Sequence, residues 1–156
     1  MSTSANRGMI LEEIIELSNK HYLKTGQALI QKVPTPVKVL KCKGSKIEGF
    51  WEKKSTVDFV GVANGKSICF DAKETKGKSL PLQNIHEHQL KFMRDWRGQG
   101  GEAFLIVYFK DIDKIFKTNI DDIMGFVIME NRKSIPLSYF EEYAKELKIK
   151  IPLEFL

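Results

Sequence analysis

Two strand-like runs, DFVGVA over 58–63 and SICFDAK over 67–73, flank Asn64-Gly65. Asn-Gly between such runs is the strongest short hairpin signal. With Asn64 and Gly65 as the loop, Ala63 pairs with Lys66 and Asp58 falls directly opposite Asp71. Opposed residues hold their Cβ atoms roughly 4.5–5.5 Å apart, where like charges repel. Lys73 shares the face of Asp71, because strand side chains alternate with period two. Asp71 also lies inside the apolar run Ile68–Ala72, where an unmatched charge is costly. Two carboxylates and a lysine on one face are the equipment of divalent-metal phosphodiester hydrolysis. Hard cations such as Mg2+ take oxygen ligands and keep waters and phosphate oxygens around one or two carboxylates. Asp58 and Asp71 supply two such ligands, and the Ala72 carbonyl is a candidate for another. Lys73 is placed to orient the attacking water or to stabilise charge on the phosphate.

The elements that must position these residues follow from periodicity. Residues 9–22 read as a helix with an apolar stripe of Ile10, Leu11, Ile14, Ile15 and Leu17. Its early acids, Glu12 and Glu13, suit the helix dipole, and either is a candidate third carboxylate. Gly26 ends this unit, residues 28–33 read as a strand, and Pro34 and Pro36 break it. Residues 34–54 read as an extended basic arm or two-stranded projection. The 58–73 hairpin carries Phe59, Ile68 and Phe70 on one face and Val60, Val62 and Cys69 on the other, so it belongs in the middle of a sheet. Residues 84–97 read as a helix with Ile85, Phe92 and Trp96 in a stripe that also contains Gln89, a buried amide in need of partners. Residues 103–109 and 125–129 read as strands. Ser138 and Glu141 predict a capping box for a helix over 139–147, and Ile151, Phe155 and Leu156 predict a docked tail. The order predicts one α/β domain spanning 1–156, a mixed β-sheet flanked by helices.

The net charge of +5 is concentrated. Between residues 32 and 54 seven lysines face only Glu48 and Glu52, which accounts for the whole excess. Such a cluster is the footprint of a phosphate backbone. Phe50 and Trp51 beside it suit either base stacking or a small core. His86 and His88 are two apart on a helix and so do not face each other, which favours capping or phosphate contact over metal ligation. No apolar run reaches the roughly 20 residues of a membrane span, and the first eight residues lack a secretory h-region. Cys42 and Cys69 match no metal motif, and the expected setting is the cytoplasm with both thiols free.

Asp58, twelve intervening residues and then Asp71-Ala72-Lys73 is similar to the (P)D…(D/E)xK nuclease motif. The flanking text is more specific: NRGMILE over 6–12, KVPTPV over 32–37, STVDF over 55–59, DAKETK over 71–76, PLQNIHEHQ over 81–89 and RKSI over 132–135. Together these resemble the RecU family of Holliday junction resolvases of bacteria and their phages. The resemblance implies a restriction-endonuclease-like fold, a homodimer, and paired symmetric nicks in four-way DNA junctions with Mg2+, or Mn2+ in its place. It makes the arm at about 34–54 a basic stalk reaching into the junction. It makes Asp58, Asp71 and Glu12 metal ligands, Lys73 the catalytic lysine and Gln89 an active-site amide, and it prefers Glu12 to Glu13. It assigns DNA contacts to Arg7, Lys38, Lys41, Lys43, Lys46, Lys53, Lys54 and Lys76. Some relatives also act on a host recombinase, and the resemblance leaves that expectation open. Val57 stands where the motif has proline, and Asp71 where glutamate is frequent. Two other readings use the same residues: a non-catalytic DNA-binding or recombinase-modulating protein of this fold, and a same-fold nuclease with another DNA target.

Overall fold

The computed structural model describes residues 9–52 and 56–156. Arg7, Lys53 and Lys54, expected to contact DNA, lie outside the described residues. The Asn64-Gly65 turn forms as expected, with φ of 51° and 78° at its two residues. It joins β4 (Phe59–Ala63) to β5 (Lys66–Thr75), with Ala63 opposite Lys66 and Phe59 opposite Phe70. Both residues of this turn type need positive φ, which Asn tolerates and Gly adopts freely.

This hairpin sits in a six-stranded mixed sheet. Its order is β1 (Ala28–Lys32), β4, β5, β7 (Glu102–Phe109), β8 (Lys114–Asn119) and β10 (Lys145–Leu147). β5 and β7 are parallel and the other neighbours antiparallel. β1 approaches β4 so closely that a Cβ on Gly61 would collide with the Leu29 carbonyl.

Each sheet face carries its own core. α1 (Met9–Lys24) covers one face, burying Leu11, Ile15 and Tyr22 against Phe59, Phe70 and Phe104. The tail docks there too: Phe155 is fully buried, with its ring 5.1 Å from Phe70, and Tyr22 Oη donates to the Leu153 carbonyl at 2.5 Å. α2 (Glu87–Gly98), α3 (Ile120–Met129) and α4 (Leu137–Tyr143) pack on the other face around Leu105, Val107, Phe116 and Phe140. A small pairing of β6 (Ser79–Pro81) with β9 (Ser134–Pro136) buries Leu80 and Ile135 beside them.

Several expectations need correction. Residues 125–129 are the end of α3, not a strand: a helix apolar on most sides mimics the continuous run of a buried strand. The final helix stops at Tyr143, and 145–147 form strand β10. Pro136 stands at its N-cap, so the Ser138–Glu141 capping box does not form. On α2 the buried residues are Gln89 and Met93, whereas Phe92 and Trp96 are only partly covered.

Within the expected arm, β2 (Val37–Lys43) and β3 (Lys46–Trp51) form a separate hairpin, and both strands are exposed along their length. It leaves the body between β1 and β4.

Candidate active site

Asp58 and Asp71 meet where β4 begins and β5 passes through the sheet. The Asp58 N–H donates to Asp71 Oδ1 at 3.0 Å, and Asp58 Oδ2 accepts from the Ala72 N–H at 2.8 Å. Asp71 is fully buried. Gln89, in the first turn of α2, donates from Nε2 to Asp71 Oδ1 at 3.1 Å and accepts at Oε1 from Lys73 Nζ at 3.0 Å. Lys73 Nζ also forms an ion pair with Asp71 Oδ2 at 2.5 Å, and this buried oxygen has no other polar partner. The amide that the helical stripe pointed at the core is therefore satisfied by the carboxylate and the lysine together.

The pair is electrostatically frustrated. Burial, the Asp71 charge and a carboxyl–carboxylate contact with Asp71 push the Asp58 carboxyl up to about 7, against the pull of the Ala72 N–H and Lys73. Burial and Asp71 also push the Cys69 thiol up to about 12, which makes it an inert core residue. Cys42 is exposed, and both cysteines are free.

Glu12 stands beside this group. It shares with Lys73, Glu74, Asn84, His86 and Lys110 the wall of a cleft of about 440 Å³. Its carboxylate is engaged elsewhere, 2.5 Å from Lys32 Nζ, which also reaches Glu16 at 3.3 Å. Glu13 is exposed and does not line the cleft. Among the described residues no three His, Cys, Asp or Glu side chains gather as a metal cluster. The two aspartates nevertheless fit a hard divalent cation: they are oxygen donors held side by side, and the buried Asp71 Oδ2 has only the Lys73 ion pair beside it.

His86 is the N-cap of α2, and its ring stacks on His88 at 5.5 Å and 11°. The two rings meet because a cap residue lies outside the helical spacing that would have separated them.

The β2–β3 hairpin sorts its side chains by a β-bulge. Val39 pairs with Gly49 and Lys41 with Glu48, so Leu40 is the extra residue. The extra residue resets the alternation. Lys38, Lys41, Lys43 and Lys46 consequently share one face with Glu48 and Phe50, and Val37, Val39, Cys42, Ile47 and Trp51 share the other. Lys43 lies opposite Lys46 at the tip, a like-charge pair that a phosphate would relieve. Phe50 and Trp51 are half or more exposed and form no core. Lys76 follows β5 directly, on the body rather than the arm.

Sequence reasoning missed Lys32, Glu74 and Lys110. Lys32 was legible only as part of the basic cluster, since its partners Glu12 and Glu16 lie on another element. Glu74 adjoins Lys73 in a strand buried on both faces, where a further acid calls for a partner.

A family model described as "RecU: Recombination protein U" matches residues 6–156. A protein of Pediococcus pentosaceus named Holliday junction resolvase RecU is 44% identical over 155 residues, covering 93% of this chain and 77% of its own length. Proteins of the same name from Staphylococcus carnosus and Lactiplantibacillus plantarum are 42% and 39% identical, over 95% and 94% of this chain and 68% and 75% of their own lengths. Among solved structures, Hjc of Archaeoglobus fulgidus, a Holliday junction resolvase, superposes with a TM-score of 0.51. It covers 85% of this chain and 93% of its own at 12% identity, a likeness of fold that identifies the core as restriction-endonuclease-like.

Proposed function

The chain belongs to the RecU family, and on that premise we propose that it resolves four-way DNA junctions by hydrolysing one phosphodiester in each of two opposed strands. The observation that carries this reading is the cross-tied pair of Asp58 and Asp71, bridged to Lys73 by Gln89. A protein that only bound DNA would have no use for two repelling carboxylates beneath a cleft, since negative charge repels phosphate.

The residues divide the work. Gln89 holds Asp71 and Lys73 in fixed orientation, so neither has to reorganise as the reaction proceeds. Lys73, one side of its ammonium facing the cleft, orients the water that attacks phosphorus and stabilises negative charge on the phosphoryl oxygens. Water adds to phosphorus as the bond to the leaving sugar oxygen breaks; the attacking water gives a proton to solvent, and the sugar oxygen takes one up from solvent to leave as a hydroxyl. Asp58 and Asp71 would hold Mg2+, or Mn2+ in its place, with Glu12 as a third ligand once it parts from Lys32. The cation supplies the positive charge that polarises the phosphate and makes water more acidic.

The lysine face of the β2–β3 arm supplies the junction contact, and Lys76 extends it toward the cleft. Paired nicks call for two active sites, so the working unit is a homodimer. The exposed Val37, Val39, Ile47 and Trp51 on the arm's other face suit burial in such an assembly. No helix among the described residues is long and apolar enough to cross a membrane. DNA as substrate and two free thiols fit a cytoplasmic protein.

The deciding experiment incubates a labelled four-way junction and a matched duplex with the protein, in Mg2+ and in EDTA. Paired, Mg2+-dependent nicks in the junction with little duplex cleavage are expected. Junction binding without nicking in either Mg2+ or Mn2+ would refute the enzyme reading in favour of a binding protein.

A further inference from the structure

β5 presents its residues alternately to the two faces of the sheet, so Glu74 points away from Asp71 and Lys73 toward α1. Its side chain is only 8% exposed. Oε1 accepts from the Leu11 N–H at 3.0 Å, across 63 residues of chain. Oε2 meets Lys110 Nζ at 3.0 Å. Lys110 is itself fixed where β7 ends, its N–H donating to the Thr75 carbonyl at 2.9 Å.

Leu11 lies in the first turn of α1, where backbone N–H groups have no intrahelical acceptor. A carboxylate there satisfies such a donor and also suits the positive end of the helix dipole. The contact is anchored on both sides: Leu11 is fully buried against the sheet, and β5 is central. Glu74 is thus one residue from Lys73 along the strand and hydrogen-bonded to the residue before Glu12. Lys73 and Glu12 face the same cleft.

We propose that Glu74 is a positioning residue for the nuclease site: by reaching the Leu11 N–H it locks the first turn of α1 to β5 and sets Glu12 in place over Lys73. This rests on the junction-resolving reading. Reach, rather than charge, is the property that matters. Lys110 Nζ, 3.0 Å from Oε2, holds the other carboxylate oxygen and so keeps Oε1 turned to the Leu11 N–H.

The test compares Glu74→Gln, which keeps length and the acceptor, with Glu74→Asp, which keeps charge but is one methylene too short. Phe140→Leu, in the core on the opposite face, serves as a control for general loss of stability. Single-turnover nicking and junction affinity are measured separately, well below each melting temperature, and amide exchange is followed at Leu11. Glu74→Asp is expected to slow nicking at least about tenfold while junction affinity stays within about threefold, the size of effect usual for residues that orient site ligands. Its Leu11 amide should exchange faster. Glu74→Gln should recover most of the rate, and Phe140→Leu should nick normally. The proposal is overturned if Glu74→Asp nicks at the wild-type rate, if Glu74→Gln is as slow as Glu74→Asp, or if Phe140→Leu slows nicking as much. A wild-type protein that does not nick at all would instead refute the junction-resolving reading, while the exchange at Leu11 would still report whether Glu74 holds α1.

Discussion

Asp58 and Asp71 hold each other through the backbone. The Asp58 N–H binds the Asp71 carboxylate at 3.0 Å, and the Asp58 carboxylate binds the N–H next to Asp71 at 2.8 Å. Two like charges are thereby kept at close range by bonds that neither side chain can leave without unpairing a main-chain donor. Replacing Asp71 with Asn removes the repulsion and with it the affinity for a cation. Nicking by Asp71→Asn should fall by about 10³-fold, the scale of losing a main electrostatic contributor to catalysis. Junction binding, read by gel shift in EDTA, should survive or tighten, because one negative charge near phosphate is gone. Loss of folding and binding together would mark Asp71 as structural only.

The raised Asp58 carboxyl predicts a pH signature in the metal-free protein. Its pKa is about 7 folded and 3.8 by reference, so between these values the folded state binds more protons than the unfolded state. Stability then falls as pH rises through this window and levels off above it. The melting temperature of wild type relative to Asp58→Asn should decline from pH 4 to pH 7 and then stay flat. A divalent cation must displace the proton. Titration calorimetry in buffers of differing ionisation enthalpy should therefore show more proton release on Mg2+ or Mn2+ binding at pH 6 than at pH 8. Equal release at both would remove the shared-proton picture of the pair.

Gln89→Leu keeps volume but removes both hydrogen bonds of the bridge. Nicking should fall about 10–100-fold, as for other residues that orient site ligands. Junction affinity should change little, because Gln89 is buried and its side chain is spent on Asp71 and Lys73. A parallel loss of affinity would place Gln89 in the substrate interface instead.

The four arm lysines make a prediction in ionic strength. Changing Lys38, Lys41, Lys43 and Lys46 to Gln should weaken junction binding and flatten its salt dependence by about 0.9 in log–log slope for each phosphate no longer neutralised. A matched set on the body, Lys20, Lys24, Lys91 and Lys145, should leave the slope nearly intact. If the arm set does not alter the slope, the lysine face is not in the DNA interface.

How far the sequence carried can be traced residue by residue. The 58–73 hairpin was fully legible because its turn type fixes the register, and the register alone brings the aspartates together. Gln89 was legible because a polar amide on an apolar stripe must be satisfied by something nearby. α3 was not, because Gly125–Met129 is apolar and β-branched enough to fit either period. β8 escaped notice for a related reason: Ile115 and Phe116 are adjacent and feed the two opposite cores, which erases the alternation. The Leu40 bulge was invisible, since one extra residue leaves no compositional mark. The engagement of Glu12 by Lys32, and of Glu74 by Leu11 and Lys110, depends on how α1 settles on the sheet, which no local pattern reports.

The turn at Asn64-Gly65 has a consequence for how this protein can change over time. The twelve residues between Asp58 and Asp71 divide into two arms of equal length about a loop of fixed size. One residue inserted into a single arm, unless absorbed as a bulge, would carry one aspartate to the other side of the sheet and leave its former partner alone. Substitutions along the arms can accumulate under ordinary packing constraints, but length there is frozen. Among descendants of this sequence, gaps and insertions should therefore gather in the β2–β3 arm and the termini, and the spacing between the two aspartates should persist even where the intervening residues have all been exchanged.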